Sequence, residues 1–211
     1  MKLKKGTLCM TLGLLLVVAA LSLTAYNLWD ERRAAESADA AMAGLEEKIP
    51  RPEELNLPAE MIPDYILNPN MDMPVVEIDG YQYIGWLEIP ALDLDLPVMD
   101  SWSYPQLKLS PCRYSGSAYL DNMAIAAHNY KRHFGGLRDL DLGEEVRFTD
   151  ADGNLFVYQT AALEQLEPTQ TKAVQNSEWD LTLFTCTLGG QFRVALRCER
   201  VEEVEEQAKT A

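Results

Sequence analysis

The chain has 211 residues, 24% of them charged, and a formal net charge of −15. Three lysines in residues 1–29 contribute +3, so residues 30–211 carry −18, a balance that excludes nucleic-acid binding through phosphate neutralisation. With Cys9 inside an apolar run, Cys112, Cys186 and Cys198 are too few for a disulfide framework.

In chain order, Lys2, Lys4 and Lys5 precede a stretch from Gly6 to Trp29 that holds no charge and is dominated by Leu, Val and Ala. A bilayer core needs roughly 20 apolar residues in helical form, and this run is long enough. A cleaved signal peptide has a shorter apolar core and a small-x-small exit, which Leu23-Thr24-Ala25-Tyr26 matches poorly. The run therefore predicts an uncleaved transmembrane signal anchor over 6–29, with residues 1–5 as a cytoplasmic basic tip. No second apolar run appears, so the expectation is a single pass with the C-terminal part outside. Residues 30–48 have helix-forming composition and a weak apolar stripe, which predicts a solvated stalk. Pro50, Pro52, Pro58, Pro63, Pro69 and Pro74 mark 49–74 as a linker or wrapping segment, so 30–74 reads as stalk and linker.

From about Val75 the texture changes to short strand-like runs, which predicts a mainly β domain over 75–203 and a polar tail over 204–211. The runs are Tyr83–Ile89, Leu92–Val98, Met123–Ala127, Glu145–Phe148, Leu155–Leu163, Leu181–Thr187 and Phe192–Cys198. Many short strands at close spacing suggest a barrel or a sandwich. Asp150-Ala151-Asp152-Gly153-Asn154 resembles part of a calcium loop but lacks its further acids, and Asp-Gly between two strands predicts a hairpin turn.

Trp179–Arg200 is the most informative stretch. If Gly189-Gly190 forms a two-residue turn, Thr187 faces Phe192 and Cys186 faces Arg193. Alternation then puts Leu183, Thr185, Val194, Leu196 and Cys198 on a core face. Thr182, Phe184, Cys186, Arg193, Ala195 and Arg197 fall on the other, which reads as open and basic. A cation beside a thiol favours the nucleophilic thiolate, and a guanidinium can hold a developing oxyanion. The bland reading of Cys186 is a small core residue, a reading that suits Cys198 better in this register.

A thiol nucleophile also needs an acid for the leaving amine. The two histidines are His128, at the end of the run Met123–Ala127, and His133, in a loop before Phe134-Gly135-Gly136. The strand-end position favours His128. A zinc site built on both is disfavoured, because their spacing of five does not match the helical pair of metal-binding motifs. No cofactor is expected.

Four segments together resemble the sortase family of Gram-positive cysteine transpeptidases. They are Ile84-Gly85-Trp86-Leu87-Glu88-Ile89-Pro90, Leu96-Pro97-Val98, Ala126-Ala127-His128-Asn129 with His133-Phe134-Gly135-Gly136-Leu137, and Leu181-Thr182-Leu183-Phe184-Thr185-Cys186 followed by Arg193. The resemblance implies a closed β-barrel of about eight strands with short helices, after the single N-terminal transmembrane helix. It implies a catalytic domain outside the cell membrane that cleaves an LPXTG-like C-terminal sorting signal of secreted proteins. A cysteine thioester would then be resolved by an amine of a peptidoglycan precursor or a pilin. Carried over, Cys186 is the nucleophile, His128 the general acid/base and Arg193 the substrate or oxyanion anchor. Thr185, Ala127 and Asn129 stand at substrate-groove positions. Three features depart from the family pattern: Ala127 replaces a usual Gly, the Cys186–Arg193 connection is short, and neither a lid motif nor a C-terminal span is evident. The missing lid motif and the missing C-terminal span count against the pilin-polymerising class, and no class is assigned. Cys112 and Cys198 are expected as buried thiols, with a disulfide between them as the alternative.

Overall fold

The structure, a computed structural model, describes residues 5–51, 62–170, 172–175 and 178–201. The tail over 204–211, most of the N-terminal tip and the middle of the Pro-rich segment lie outside the described residues. Helix α1 (Lys5–Lys48) runs without a break for 44 residues, about 66 Å at the usual rise. Its side chains are exposed from Gly6 through Trp29, and the helix is long and apolar enough there to cross a membrane.

Burial on α1 begins abruptly at Asp30 and recurs at Ala34, Ala38, Ala41 and Leu45, continuing to Ile49 beyond the helix. That spacing of three and four is one helical stripe. The predicted solvated stalk is thus corrected: this side of 30–49 lies against the β domain. Alanines let the helix approach closely, and Ala41, Leu45 and Ile49 join Tyr83, Trp86, Met99 and Cys112 in a second core outside the barrel.

Nine strands follow: β1 (Val76–Ile78), β2 (Tyr81–Ile89), β3 (Leu94–Met99), β4 (Cys112–Ser115), β5 (Met123–Ala126), β6 (Glu145–Asp150), β7 (Leu155–Leu166), β8 (Leu181–Cys186) and β9 (Arg193–Arg200). Their order is β1-β2-β3-β4-β5-β8-β9-β7-β6, and β6 pairs back onto β2. Strands β2–β9 therefore close an eight-stranded barrel, as expected, with β1 paired on the outside of β2. The closure leaves no exposed edge among those eight. The β3–β4 and β5–β8 pairs are parallel and the others antiparallel.

Gly85 makes the closure possible. It lies at the β2 bulge with φ +142, and a Cβ there would stand 1.9 Å from the Thr149 carbonyl oxygen of β6. Inside the barrel, Ile84, Leu87, Val98, Ile125, Phe148, Phe156, Leu183 and Leu196 are fully buried. The described part of the Pro-rich segment packs against the barrel through Tyr65, Met71 and Met73. Tyr65, on the short helix α2 (Asp64–Leu67), stacks on Tyr119 at 4.8 Å and packs on Phe156. Asp150–Asn154 forms the β6–β7 hairpin turn. The Asp150 carboxylate accepts from the backbone N–H groups of Asp152 and Asn154 and from the Tyr119 hydroxyl.

Candidate active site

The β8–β9 ladder has the register read from the sequence: Cys186 pairs with Arg193, and Leu181 with Cys198. The turn itself differs. It is a four-residue loop, Leu188–Gln191, in which the Gly190 N–H donates to the Thr187 carbonyl and the Thr187 N–H to that of Phe192. Gly189 and Gly190 both have positive φ, +89 and +72. Two-residue and four-residue loops on the same midpoint preserve register and facing, so the Cys186–Arg193 pair is unaffected.

One expectation about this hairpin is corrected. The outer face is open only at its Cys186–Arg193 end. Farther along, Thr182, Ala195 and Arg197 are buried beneath the β7–β8 connection, whose helix α4 (Lys172–Gln175) packs Val174 against Ala195 and Leu166. Arg197, only 3% exposed, bonds Glu164 at 2.9 Å, the Ala173 carbonyl and the Thr182 hydroxyl. It is a structural pin for the groove wall rather than part of a basic surface.

Strand β5 lies parallel to β8, with Ala126 opposite Phe184. The Ala127 N–H continues the ladder to the Phe184 carbonyl, and the Thr185 hydroxyl donates to the Ala127 carbonyl at 2.8 Å. These two bonds lock the end of β5, and so the start of the His128 loop, onto the end of β8. The loop then folds back on itself: the Phe134 N–H donates to the His128 carbonyl, and those of His133 and Gly135 to the Tyr130 carbonyl. A Cβ on Gly135 would lie within 2.8 Å of the Asn129 and Tyr130 carbonyl oxygens, which explains a glycine there.

Cys186, His128, Arg193, Thr185 and Ala127 all line one groove of about 230 Å³. Asn129 is half-buried and is not among the residues lining it. His133 is fully buried behind the loop and away from the groove; burial, with help from His128 and Arg132, pushes its pKa down to about 4. Burial also lowers the pKa of His128, opposed by the negative charge of Asp30 and reinforced by Lys108. Its Nε2 is buried and has no hydrogen-bond partner among the described residues. One Arg193 Nη donates to the carbonyls of Gly190 and Phe192, which holds the guanidinium at the rim. Cys112 and Cys198 are buried free thiols, both pushed up to about 12 by desolvation. Cys186 is a free, half-exposed thiol. Among the described residues no group of His, Cys, Asp and Glu is placed to hold a metal ion.

Sequence reasoning missed the other wall. Trp102, Tyr104 on helix α3 (Tyr104–Leu107), Tyr114 on β4 and Phe184 on β8 form a chain of ring contacts at 5.1–5.8 Å along the groove. The cluster of aromatic residues in Trp102–Tyr104 was the available signal. Facing it are Leu166, Pro168 and Val174 of the β7–β8 connection. The groove is thus mostly apolar, with Glu167 and Gln170 as polar lining on the β7–β8 side, and it holds the thiol, imidazole and guanidinium together.

Known proteins match this chain in sequence family and in fold. The Sortase domain model matches residues 87–201. Sortase A of Bacillus anthracis is 26% identical over 115 residues, 52% of this chain and 54% of that protein, so the chain spans about half the length of this relative. In fold, the chain is similar to sortase C of Streptococcus pneumoniae (TM-score 0.50, 23% identity, 57% of this chain and 69% of that one). It is also similar to sortase C1 of Streptococcus agalactiae (0.51, 20%, 58% and 71%) and to a lid mutant of sortase A from Corynebacterium diphtheriae (0.50, 20%, 67% and 78%). A matched family domain over more than half of the chain, on a closed barrel of the same fold, assigns this protein to the sortase family.

Proposed function

We propose that the chain is a membrane-anchored transpeptidase that acts on an LPXTG-like sorting signal through a thioester on Cys186. The observation that carries the reading is the groove in which Cys186, His128 and Arg193 meet in a mostly apolar channel. An extended peptide with apolar leading residues fits that channel, and its scissile carbonyl would sit between Cys186 and Arg193. The Cys186 thiolate attacks this carbonyl, and the Arg193 guanidinium holds the oxyanion of the tetrahedral intermediate. His128 delivers a proton to the leaving amine as the C–N bond breaks, leaving the thioester. The incoming amine, from a peptidoglycan precursor or a pilin lysine, then attacks the thioester carbonyl and loses a proton to His128 as the C–S bond breaks, which releases the Cys186 thiolate. Thr185 positions the His128 loop through its bond to Ala127.

Helix α1 supplies the anchor over 6–29, with the basic tip on the cytoplasmic side and the catalytic barrel at the cell surface. The test uses the full chain in detergent micelles with a panel of sorting-signal peptides and an amine acceptor, read by mass spectrometry. A peptide adduct on Cys186 and an amine-linked product are expected. An adduct that yields only free acid would make the protein a thiol hydrolase. Absence of any adduct on folded protein would overturn the reading.

A further inference from the structure

Three successive residues of the His128 loop are bonded to α1. The Tyr130 hydroxyl donates to Asp30 Oδ2 at 2.6 Å, the Lys131 N–H to Glu31 Oε1 at 2.7 Å, and an Arg132 Nη to Asp39 Oδ1 at 2.7 Å. Asp30 is the first charged residue after the uncharged run and is 8% exposed, the point where burial on α1 begins. The Tyr130 ring packs on the His128 imidazole, centroids 4.9 Å apart and tilted by 31°, and on His133 at 5.5 Å.

In thiol enzymes the acid/base is ordinarily oriented by a third group. The described residues give His128 no side-chain hydrogen bond of that kind, so ring packing is the contact that fixes its plane. We propose that Asp30 and Tyr130 are positioning residues for His128: the Asp30 carboxylate on the anchor helix holds the Tyr130 ring against the imidazole and sets its orientation and charge. The inference rests on His128 being the acid/base of the proposed reaction.

The charges around His128 support it. From α1 comes Asp30, itself bonded to Arg33 at 3.1 Å. From the segment after α3 comes Lys108, and from its own loop His133 and Arg132. Across the groove stand Cys186 and Arg193. Asp30 is thus the carboxylate that favours the imidazolium against burial and Lys108. The bond from Tyr130 holds the Asp30 carboxyl below its ordinary range, so it stays charged wherever His128 titrates. The anchor helix is on this view part of the catalytic apparatus and not a tether alone.

The test is a titration of full-length protein in micelles with 13C-labelled histidine. The chain has two histidines, and His128→Gln assigns the resonances. Asp30→Asn is expected to move the His128 midpoint to lower pH, and Asp30→Glu to restore it. Tyr130→Phe, which keeps the ring and breaks the tie, is expected to broaden or shift the His128 resonance. Acylation of Cys186 at neutral pH should fall by about tenfold in Asp30→Asn and Tyr130→Phe, part of the roughly 10²–10⁴-fold of a positioned acid. Asp39→Ala, which cuts an exposed tie of the same helix, should leave both readings at the wild-type level. An unchanged His128 midpoint in Asp30→Asn, or an equal effect from Asp39→Ala, overturns the proposal. A shifted midpoint in an enzyme that acylates no sorting peptide supports the coupling and overturns only the transpeptidase reading.

Discussion

Cys186 and Arg193 owe their juxtaposition to a ladder pair, and His128 reaches them through the Ala127–Thr185 bond. Cys186→Ala is expected to abolish the peptide adduct while leaving the thermal midpoint at the wild-type value, because the side chain only partly enters the packing; mass spectrometry and calorimetry check the two parts. Arg193→Lys keeps the charge but loses the planar fork. Acylation should fall about tenfold or more if the guanidinium holds the oxyanion, with a smaller effect on peptide KM, as steady-state kinetics would read. His133 gives a stability prediction instead. Its folded pKa of about 4 lies below the ordinary 6.5, so between those values the unfolded chain binds the extra proton. Stability from this group is complete above about pH 6.5 and declines as pH falls toward 4, by roughly 3 kcal/mol in all. His133→Phe should flatten that dependence in urea unfolding at pH 7.5 and pH 5.

At the scale of elements, the two strands that carry the thiol and the guanidinium were legible because alternation and a Gly-Gly turn fix register by parity. Their cover was not legible: Arg197 looks like a surface cation in the sequence and is buried only because the β7–β8 connection folds over it. Strand β4 was missed because four residues with Arg113 and Ser115 among them show no clean period. Gly85 is the sharpest element-scale test. Gly85→Ala meets both an unfavourable φ and the Thr149 carbonyl, so the β2–β6 seam must open. A loss of at least about 2 kcal/mol is expected from such overpacking, measured by urea unfolding and by faster amide exchange along β2 and β6.

For the whole molecule, the question is where the folded unit starts. The sequence suggested that the β domain begins at residue 75, but Ala41, Leu45 and Ile49 cover Tyr83, Trp86 and Met99 on the barrel's outside. A chain of residues 75–211 would expose those side chains to water. It is expected to show a lower thermal midpoint and stronger binding of an apolar dye than residues 30–211. Equal behaviour of the two would mean that the α1 contact contributes nothing to stability.

By itself, the sequence determined the properties that depend on neighbours along the chain. An uncharged helix-forming run of bilayer length, a set of β strands and the Cys186–Arg193 register all follow from local composition and period. Position at a strand end singled out His128, and resemblance in short motifs added the family. Only the tertiary structure decided what depends on residues far apart: barrel closure at Gly85, the aromatic wall from Trp102 to Phe184, the burial of Arg197 and the tie from Asp30 to the His128 loop. The alanine stripe on α1 shows why. Alanine satisfies a helix in water and a helix against a surface equally well, so its pattern alone does not say which, and the packing partner some forty residues later does.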